Sequence, residues 1–280
     1  ELELTLTGRD CGQPERAPMC GVPFHSCENY IARLIAKGYK VAICEQMEDP
    51  ATAKGLVERD IIRVVTPGTV IDSSMLEEGK SNYISGVFLS ETGAGVCFVD
   101  ISTGKTLANS FAGEDRVQHL INELGRFSPA EVFLNTAASE DSTLQEFLQG
   151  RLHCHRELGR DAAFELSAAR RAITRQYGEG AADRLPQGIP AVTMALGGVL
   201  SYLYDTQKTD RSYINTLDYY EQGQFMELDI AARRNLELTE TLRSKEKRGS
   251  LLWVLDKTKT AMGSRCLRAF LERPLLSPAA

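Results

Sequence analysis

The spacing of hydrophobic and polar residues changes along the chain, and its first part predicts a mixed α/β domain. Residues 2–7 alternate between apolar and polar side chains as a strand does, and the apolar runs at 40–45 and 61–65 predict two further strands. Apolar residues within 27–37 recur at helical intervals. We therefore predict a first domain over residues 1–72, built from strands and one helix.

A different order of elements is predicted for the second domain, residues 83–178. Three strand-like runs at 83–90, 95–101 and 106–110 are separated by short turns that contain glycine. Helices and strands then alternate, with helices predicted over 116–124, 144–148 and 162–177 and strands at 131–134 and near Leu152. A three-stranded meander followed by such an alternation is typical of an RNase H-like layer fold.

Long helices are predicted beyond this point, so residues 179–280 are expected to form an all-helical region. Pro190 stands at a first-turn position, and apolar residues follow it at helical spacing. Gly197-Gly198 lowers the helix propensity there and permits a close helix contact. Residues 73–82 are polar and contain Gly79, and we predict that they form a linker between the first two domains.

Composition places the chain among cytoplasmic globular proteins. Its 280 residues suggest about two domains, and no apolar run approaches the roughly 20 residues that span a bilayer. The seven cysteines include no C-x-x-C pair, which favours reduced thiols. The triplets His25-Ser26-Cys27 and His153-Cys154-His155 lack a second ligand pair at zinc-like spacing, so we expect ordinary packing or surface roles. The chain starts inside a strand-like run without Met, and we expect it to be a fragment.

Charge is distributed unevenly. The formal net charge is -6, but residues 228–280 carry 11 Lys and Arg against 6 Asp and Glu. Phosphate contact needs local basic groups rather than a basic total, so the acidic balance weakens a nucleic-acid function without excluding it. A solvated helix face explains the basic segment equally well.

Three long blocks in the first domain carry a specific resemblance to a known family. They are PMCGVPFHS at 18–26, VAICEQMEDPATAKG at 41–55 and VERDIIRVVTPGT at 57–69. In this order and at these separations they resemble the mismatch-recognition domain of the MutS family of DNA mismatch repair proteins. RRNLEL at 233–238 and LLWVLDKTKTAMGSRCLRAFLERPL at 251–275 resemble the start of that family's core, or lever, domain. The resemblance implies a partial mismatch-recognition domain, a connector domain and the beginning of a helical lever.

The resemblance also implies which residues face DNA. It places Met19, Cys20, Gly21, Val22 and Pro23 in a loop against the duplex, and Arg59 and Arg63 near phosphates. Glycine permits a close backbone approach, and arginine offers a forked phosphate contact. From the residues alone, the loop could instead be a tight turn under a core. Arg63 alternates with apolar neighbours, which favours the solvent face of a strand for this residue.

The function implied by the resemblance is recognition of mispaired and unpaired bases in duplex DNA, coupled to ATP in a downstream domain. The partners it implies are mismatched double-stranded DNA, a second MutS subunit and MutL-type repair proteins, with no membrane. The family's Phe-x-Glu wedge is expected upstream of Glu1. No G-x-x-x-x-G-K-[ST] motif occurs, since Val99 stands five residues before Gly104. We therefore expect no enzyme activity and no cofactor here, with ATP and Mg²⁺ belonging to the ATPase domain.

A nuclease or a protein-interaction module with an RNase H-like domain is the alternative function. Two-metal cleavage needs several converging carboxylates. Asp100 stands at the end of one strand-like run, but the run at 131–134 ends in Asn135 rather than in an acid. We therefore expect a structural role for Asp100 at its strand end.

Overall fold

The chain divides into two compact units, which we call unit 1 (residues 1–67) and unit 2 (residues 68–280). A computed structural model describes residues 2–49, 55–72, 75–77, 79–208, 212–221, 223, 225–226 and 228–277. The predicted linker at 73–82 therefore lies partly outside the described residues. The domain boundaries expected at residues 72 and 178 stay predictions.

Unit 1 contains two antiparallel strand pairs and one helix. Its elements are β1 Thr7–Arg9, β2 Ala17–Met19, α1 Cys27–Ala36, β3 Val41–Gln46 and β4 Arg59–Val65, with β1 paired to β2 and β3 paired to β4. The predicted helix and the two later strands match these elements. The strand predicted over residues 2–7 is wrong except at Thr7. Glu3 has a φ of 58°, a left-handed conformation that interrupts the extended backbone.

Unit 2 is built on one six-stranded sheet. Its strands are β5 Tyr83–Leu89, β6 Gly93–Asp100, β7 Lys105–Ala112, β8 Glu131–Leu134, β9 His155–Leu158 and β10 Thr216–Tyr219, in the spatial order β10-β7-β6-β5-β8-β9. The strands β5, β6 and β7 form the antiparallel meander that the sequence predicts, and β8 runs parallel to β5 and to β9. The strand expected near Leu152 begins later, because a π-helical turn covers Leu148–Leu152.

The expectation of an all-helical region from residue 179 onward is wrong at Thr216–Tyr219. These residues form β10, which pairs in parallel with β7 and becomes the edge strand on that side of the sheet. Side chains reinforce this pairing: Lys105 Nζ lies 3.4 Å from an Asp218 carboxylate oxygen, and the hydroxyls of Ser110 and Tyr219 are 3.1 Å apart. Backbone groups at an open sheet edge accept a further strand wherever one is brought beside them.

Unit 2 also contains eight α-helices within the described residues. They are α2 Arg116–Phe127, α3 Thr136–Glu140, α4 Ser142–Phe147, α5 Leu166–Tyr177, α6 Ala191–Thr206, α7 Ile230–Asn235, α8 Leu251–Leu255 and α9 Ala261–Glu272. None of them, and no other helix in the part of the chain that the structure describes, is long and apolar enough to cross a bilayer.

Two hydrophobic cores lie on opposite faces of the sheet, because successive strand residues point to opposite sides. Cys97 and Val99 of β6 belong to the core that includes residues of α5 and α6, whereas Phe98 belongs to the core that includes residues of α2 and α4. Glycines allow the helices to pack closely. A Cβ on Gly95 would come within 2.2 Å of the Ala191 backbone, and one on Gly197 within 2.2 Å of Ala169. The close helix contact expected at Gly197 is therefore confirmed.

Candidate nucleic-acid interface

The loop predicted to face DNA follows β2 and leads into α1. Met19 is the last residue of β2 and lies opposite Thr7, whose hydroxyl donates a 2.7 Å hydrogen bond to the Met19 carbonyl. At the other end, the Pro23 carbonyl accepts hydrogen bonds from the backbone N–H of Ser26 at 3.0 Å and from its hydroxyl at 3.2 Å. Backbone and side-chain hydrogen bonds thus fix both ends of the loop.

The loop presents apolar groups to solvent. Residues 19–23 are all exposed, with Met19 at 45% and Val22 at 38% exposure. The turn-under-a-core alternative for this loop is therefore wrong. Phe24, which is not among the residues predicted to face DNA, is 88% exposed at the loop's end. Its position directly after Pro23, outside any amphipathic pattern, is the sequence signal that points to such exposure.

Gly21 has open space around its Cα. A Cβ built there meets no atom within 4 Å among the described residues, and its φ lies outside the left-handed region. Nothing within the described part of unit 1 therefore requires glycine at this position. The residue leaves room for the backbone to approach an external surface.

A β-bulge separates the two candidate arginines. In the β3–β4 pair, Arg63 lies opposite Ile43 and Arg59 lies opposite Gln46, while Ile62 is the extra residue. Directly opposite residues share a face, and side chains three positions apart on β3 point to opposite faces. Arg59 and Arg63 therefore project from opposite faces of the hairpin, although their spacing of four would place them together in a regular strand.

The two faces differ in exposure. Arg59 shares its face with Cys44 and Gln46, which are exposed, whereas Arg63 shares its face with half-buried Ile43 and buried Val65. The predicted solvent face for Arg63 is therefore wrong, because this side chain is itself half-buried. Arg59 is freely accessible at the start of β4. The loop and these arginines belong to separate two-stranded sheets.

Asp100 stabilises the turn that follows β6. The residue is 1% exposed, and its Oδ1 accepts hydrogen bonds from the Ser102 N–H at 2.9 Å, from the Ser102 hydroxyl at 2.6 Å and from the Thr103 N–H at 3.3 Å. Asn135 likewise binds backbone, donating to the Leu89 carbonyl and accepting from the Leu89 N–H, both at 3.0 Å. The structural role expected for Asp100 is confirmed. Within the described residues, no cluster of three potential metal ligands forms.

Sequence comparison gives three consecutive family matches. The profile described as MutS domain I matches residues 1–74, MutS domain II matches residues 82–215, and MutS domain III matches residues 231–280. Together these matches cover most of the chain, in the order in which the domains are numbered.

Individual relatives agree with these matches. The DNA mismatch repair proteins MutS of Acetivibrio thermocellus and Ruminiclostridium cellulolyticum are each 46% identical over 277 residues, and that of Alkaliphilus oremlandii is 46% identical over 281 residues. Each alignment covers 99% of this chain and 32% of the relative. The chain thus spans about a third of the length of these curated relatives.

Proposed function

Since the chain belongs to the MutS family of DNA mismatch repair proteins, we propose that it contributes to mismatch recognition on duplex DNA, with unit 1 as the contacting part. The observation that carries this proposal is the loop at 19–23, which is held at both ends and presents exposed apolar groups in the segment that matches MutS domain I. Soluble monomers normally expose large apolar side chains singly, so a continuous exposed group points to a binding surface.

The loop is suited to the duplex because its groups are apolar and its backbone is accessible. Met19 and Val22 offer apolar contacts to base edges and sugars, and Gly21 allows the main chain to approach. Mismatched steps are poorly stacked, so deforming them costs less than deforming paired DNA. Cys20 and Pro23 complete the exposed surface, and the proline ring restricts the backbone there.

Arg59 is the phosphate contact that the structure favours. It is exposed, whereas Arg63 reaches a duplex only on the opposite, half-buried face of the hairpin. One straight duplex lying against one face of the hairpin therefore meets Arg59 or Arg63, but not both. We propose Arg59 as the primary contact and Arg63 as a contact on the second face.

Unit 2 supports a connector role. The order β7-β6-β5-β8-β9, with an antiparallel meander followed by parallel strands, is compatible with the proposed RNase H-like connector fold. A nuclease function is not favoured, because Asp100 is engaged in its turn and Asn135 takes the next strand end. We propose that α7 to α9 begin the lever.

The remaining parts of the proposal concern the whole family protein. In it, this chain would act in a cytoplasmic dimer, would pass the DNA-bound state towards an ATPase domain that uses ATP and Mg²⁺, and would work with MutL-type repair proteins. Such coupling requires two conformational states of the whole protein, and the equilibrium between them must depend both on DNA binding and on ATP binding. The chain itself supplies no phosphate-binding loop and is proposed to be the non-enzymatic part.

Fluorescence anisotropy with matched and G·T-mismatched duplexes across a salt series tests the proposal. We expect a Kd in the non-specific range of about 10⁻⁴ to 10⁻⁶ M and less than about tenfold preference for the mismatch, since phosphate contacts carry no sequence information. Arg59→Gln should reduce the salt slope by about 1, whereas Arg171→Gln, an exposed change in unit 2, should not. Equal slopes for the two variants would refute the assignment of Arg59. A mismatch preference above tenfold would show that discrimination resides in this chain.

A further inference from the structure

A cavity of about 730 Å³ lies within unit 2, where the end of α2 meets α7 and α9. Its volume falls in the range of small-molecule sites, roughly 300–1,000 Å³. Its lining is strongly basic: ten lysine and arginine side chains face two glutamates. Unit 1 contributes none of the lining residues.

Several guanidinium groups of the lining have buried donors without acceptors. The Arg126 side chain is only 9% exposed, and its Nη1 donates to Glu123 at 2.6 Å. Its Nε and Nη2 have no hydrogen-bond partner in the described residues, and neither has the buried Nε of Arg233, Arg268 or Arg273. Buried hydrogen-bond donors in native proteins almost always have an acceptor. The unpaired donors of these arginines therefore point to an acceptor that the described part of the chain does not supply.

The cations also crowd one another. Burial and, to a smaller extent, the neighbouring charge of Arg126 together lower the pKa of Arg233 to about 10. Burial, then Arg126, likewise lower the pKa of Arg273. Of the carboxylates close by, Glu123 is paired with Arg126, and Glu272 lies 3.3 Å from Arg268. Positively charged side chains therefore outnumber negatively charged ones in the lining of the cavity, and burial removes part of their hydration.

Aromatic rings hold two of the guanidinium groups in position. The guanidinium carbon of Arg126 lies 4.6 Å from the centroid of the Phe127 ring, and that of Arg273 lies 4.3 Å from the centroid of the Tyr220 ring. Stacked guanidinium groups lose less freedom when they bind a ligand, and their forked donors match phosphate geometry.

Helix ends give a purely structural explanation for part of this charge. Arg126 and Arg233 stand in the last turns of α2 and α7, and Arg273 is the C-cap residue of α9. Cations at such positions stabilise helices by typically 0.3–1 kcal/mol. That explanation requires each arginine to stabilise the fold, whereas crowded cations awaiting an anion destabilise it. The two explanations thus predict opposite signs.

We propose that this cavity is an anion site for a phosphate-bearing ligand, with Arg126 and Arg233 as forked donors and with Arg268 and Arg273 supplying further charge. The site goes beyond the DNA contact proposed for unit 1. Its phosphate could come from a free oligophosphate or from a nucleic-acid backbone, and both present the same oxygens.

Pyrophosphate serves as the probe, measured by calorimetry and by thermal unfolding against sodium chloride of equal ionic strength. We expect saturable binding and a raised Tm for the wild-type chain. Arg233→Gln should weaken binding by about tenfold or more, because it removes a charged hydrogen-bonding partner. Without ligand, the Tm of the Arg233→Gln variant should equal or exceed that of the wild-type chain. Arg233→Lys, which keeps the charge but loses the fork, should fall between the two.

Arg171→Gln is the matched control, since Arg171 is exposed on α5 and is not among the lining residues. The proposal is wrong if pyrophosphate stabilises no more than chloride does, or if Arg233→Gln and Arg171→Gln bind equally. It is also wrong if Arg233→Gln lowers the Tm of the ligand-free chain, which is the result that the helix-end explanation requires. Arg273→Gln provides a second measurement of whether removing an arginine raises or lowers the ligand-free Tm.

Duplex DNA added as a competitor separates the two sources of phosphate. Displacement of pyrophosphate by DNA supports a backbone phosphate as ligand, and absence of displacement supports a free oligophosphate. Arg59→Gln in unit 1 should leave pyrophosphate binding unchanged, so failure of the unit 1 interface and failure of this site are distinguishable.

Discussion

Unit 1 and unit 2 differ in how much of each is buried. Among the described residues of unit 1, only Val65 and Thr66 are buried, whereas unit 2 carries a core on each face of its sheet. Two of the sequence blocks that resemble the family, at 18–26 and 41–55, nevertheless lie in unit 1, and a third, at 57–69, lies mostly in it. The block at 18–26 contains no buried residue.

The difference indicates what determines the residues in each unit. In unit 2, packing dictates the choice, as at Gly95, where no Cβ fits. In unit 1, the chain's own packing leaves the loop at 19–23 unconstrained. Its residue types therefore need an explanation outside the described fold, and contact with another molecule provides one.

Thiol reactivity should show the largest contrast between the units. Cys97 is fully buried and its pKa is raised to about 12 by burial, whereas Cys20 is exposed. At pH 8 a thiol of that pKa is about one part in 10⁴ thiolate, the reactive form. Iodoacetamide followed by peptide mass spectrometry should show Cys20 alkylated on the order of 10³ times faster. Equal native rates would contradict the burial of Cys97, and equal rates in denaturant are the control.

The second largest contrast concerns the loss of stability when one methyl group is added in each unit. Gly95→Ala places a Cβ about 2.2 Å from the Ala191 backbone and should cost about 3 kcal/mol or more. In a unit of this size, the Tm should fall by roughly 6–12 °C. Gly21→Ala, the same change in open space, should remain within about 0.5 kcal/mol. Differential scanning calorimetry measures the Tm of both variants. A decrease of less than about 2 °C for Gly95→Ala would show that α6 does not pack closely on β6.

Removing one buried hydroxyl should have a smaller effect. The Tyr202 hydroxyl donates a 2.7 Å hydrogen bond to Glu131 Oε1, and both residues are buried. Glu131 also accepts from the Gly68 N–H at 3.0 Å, so it ties the start of unit 2 to the sheet. Tyr202→Phe should cost about 1.5 kcal/mol, measured by urea denaturation. Tyr30→Phe in unit 1, a partly exposed tyrosine, serves as the control, and equal effects would remove the contrast.

The smallest effect concerns DNA. Gly21→Ala should weaken duplex binding by about threefold, or roughly 0.6 kcal/mol, because the added methyl group stands between the loop backbone and the duplex. Anisotropy titration at low salt measures it, and the unchanged Tm of this variant excludes misfolding. Binding equal to that of the wild type would remove Gly21 from the proposed interface.

Local patterns were sufficient to predict much of unit 2. The meander β5–β7 and the strand β8 appear where alternation and turn residues predicted them, because neighbouring residues determine these elements. β10 was missed, since a four-residue strand is too short for a distinct pattern and forms through its pairing with β7. The strand predicted over residues 2–7 begins only at Thr7, because Glu3 adopts a left-handed conformation that no local pattern signals.

The sites were harder to predict than the fold. Exposure of the loop at 19–23 depends on what surrounds it, which spacing does not reveal. The sequence shows the basic segment at 228–280 as a charge excess, but its contact with Arg126 of α2 joins residues about a hundred positions apart. Only tertiary packing brings these arginines together, so the cavity has no local sequence signal.

The bulge at Ile62 also bears on how variation in chain length should be interpreted here. Partner positions on β3 fix the side on which Arg59 and Arg63 lie, and Ile62 is the residue that the ladder leaves out. A related chain one residue shorter at this point would keep both arginines on their present sides and would lose the local bend and extra twist. A one-residue gap in an alignment would thus record a change in the hairpin's curvature, while the direction of each charge was inherited unchanged.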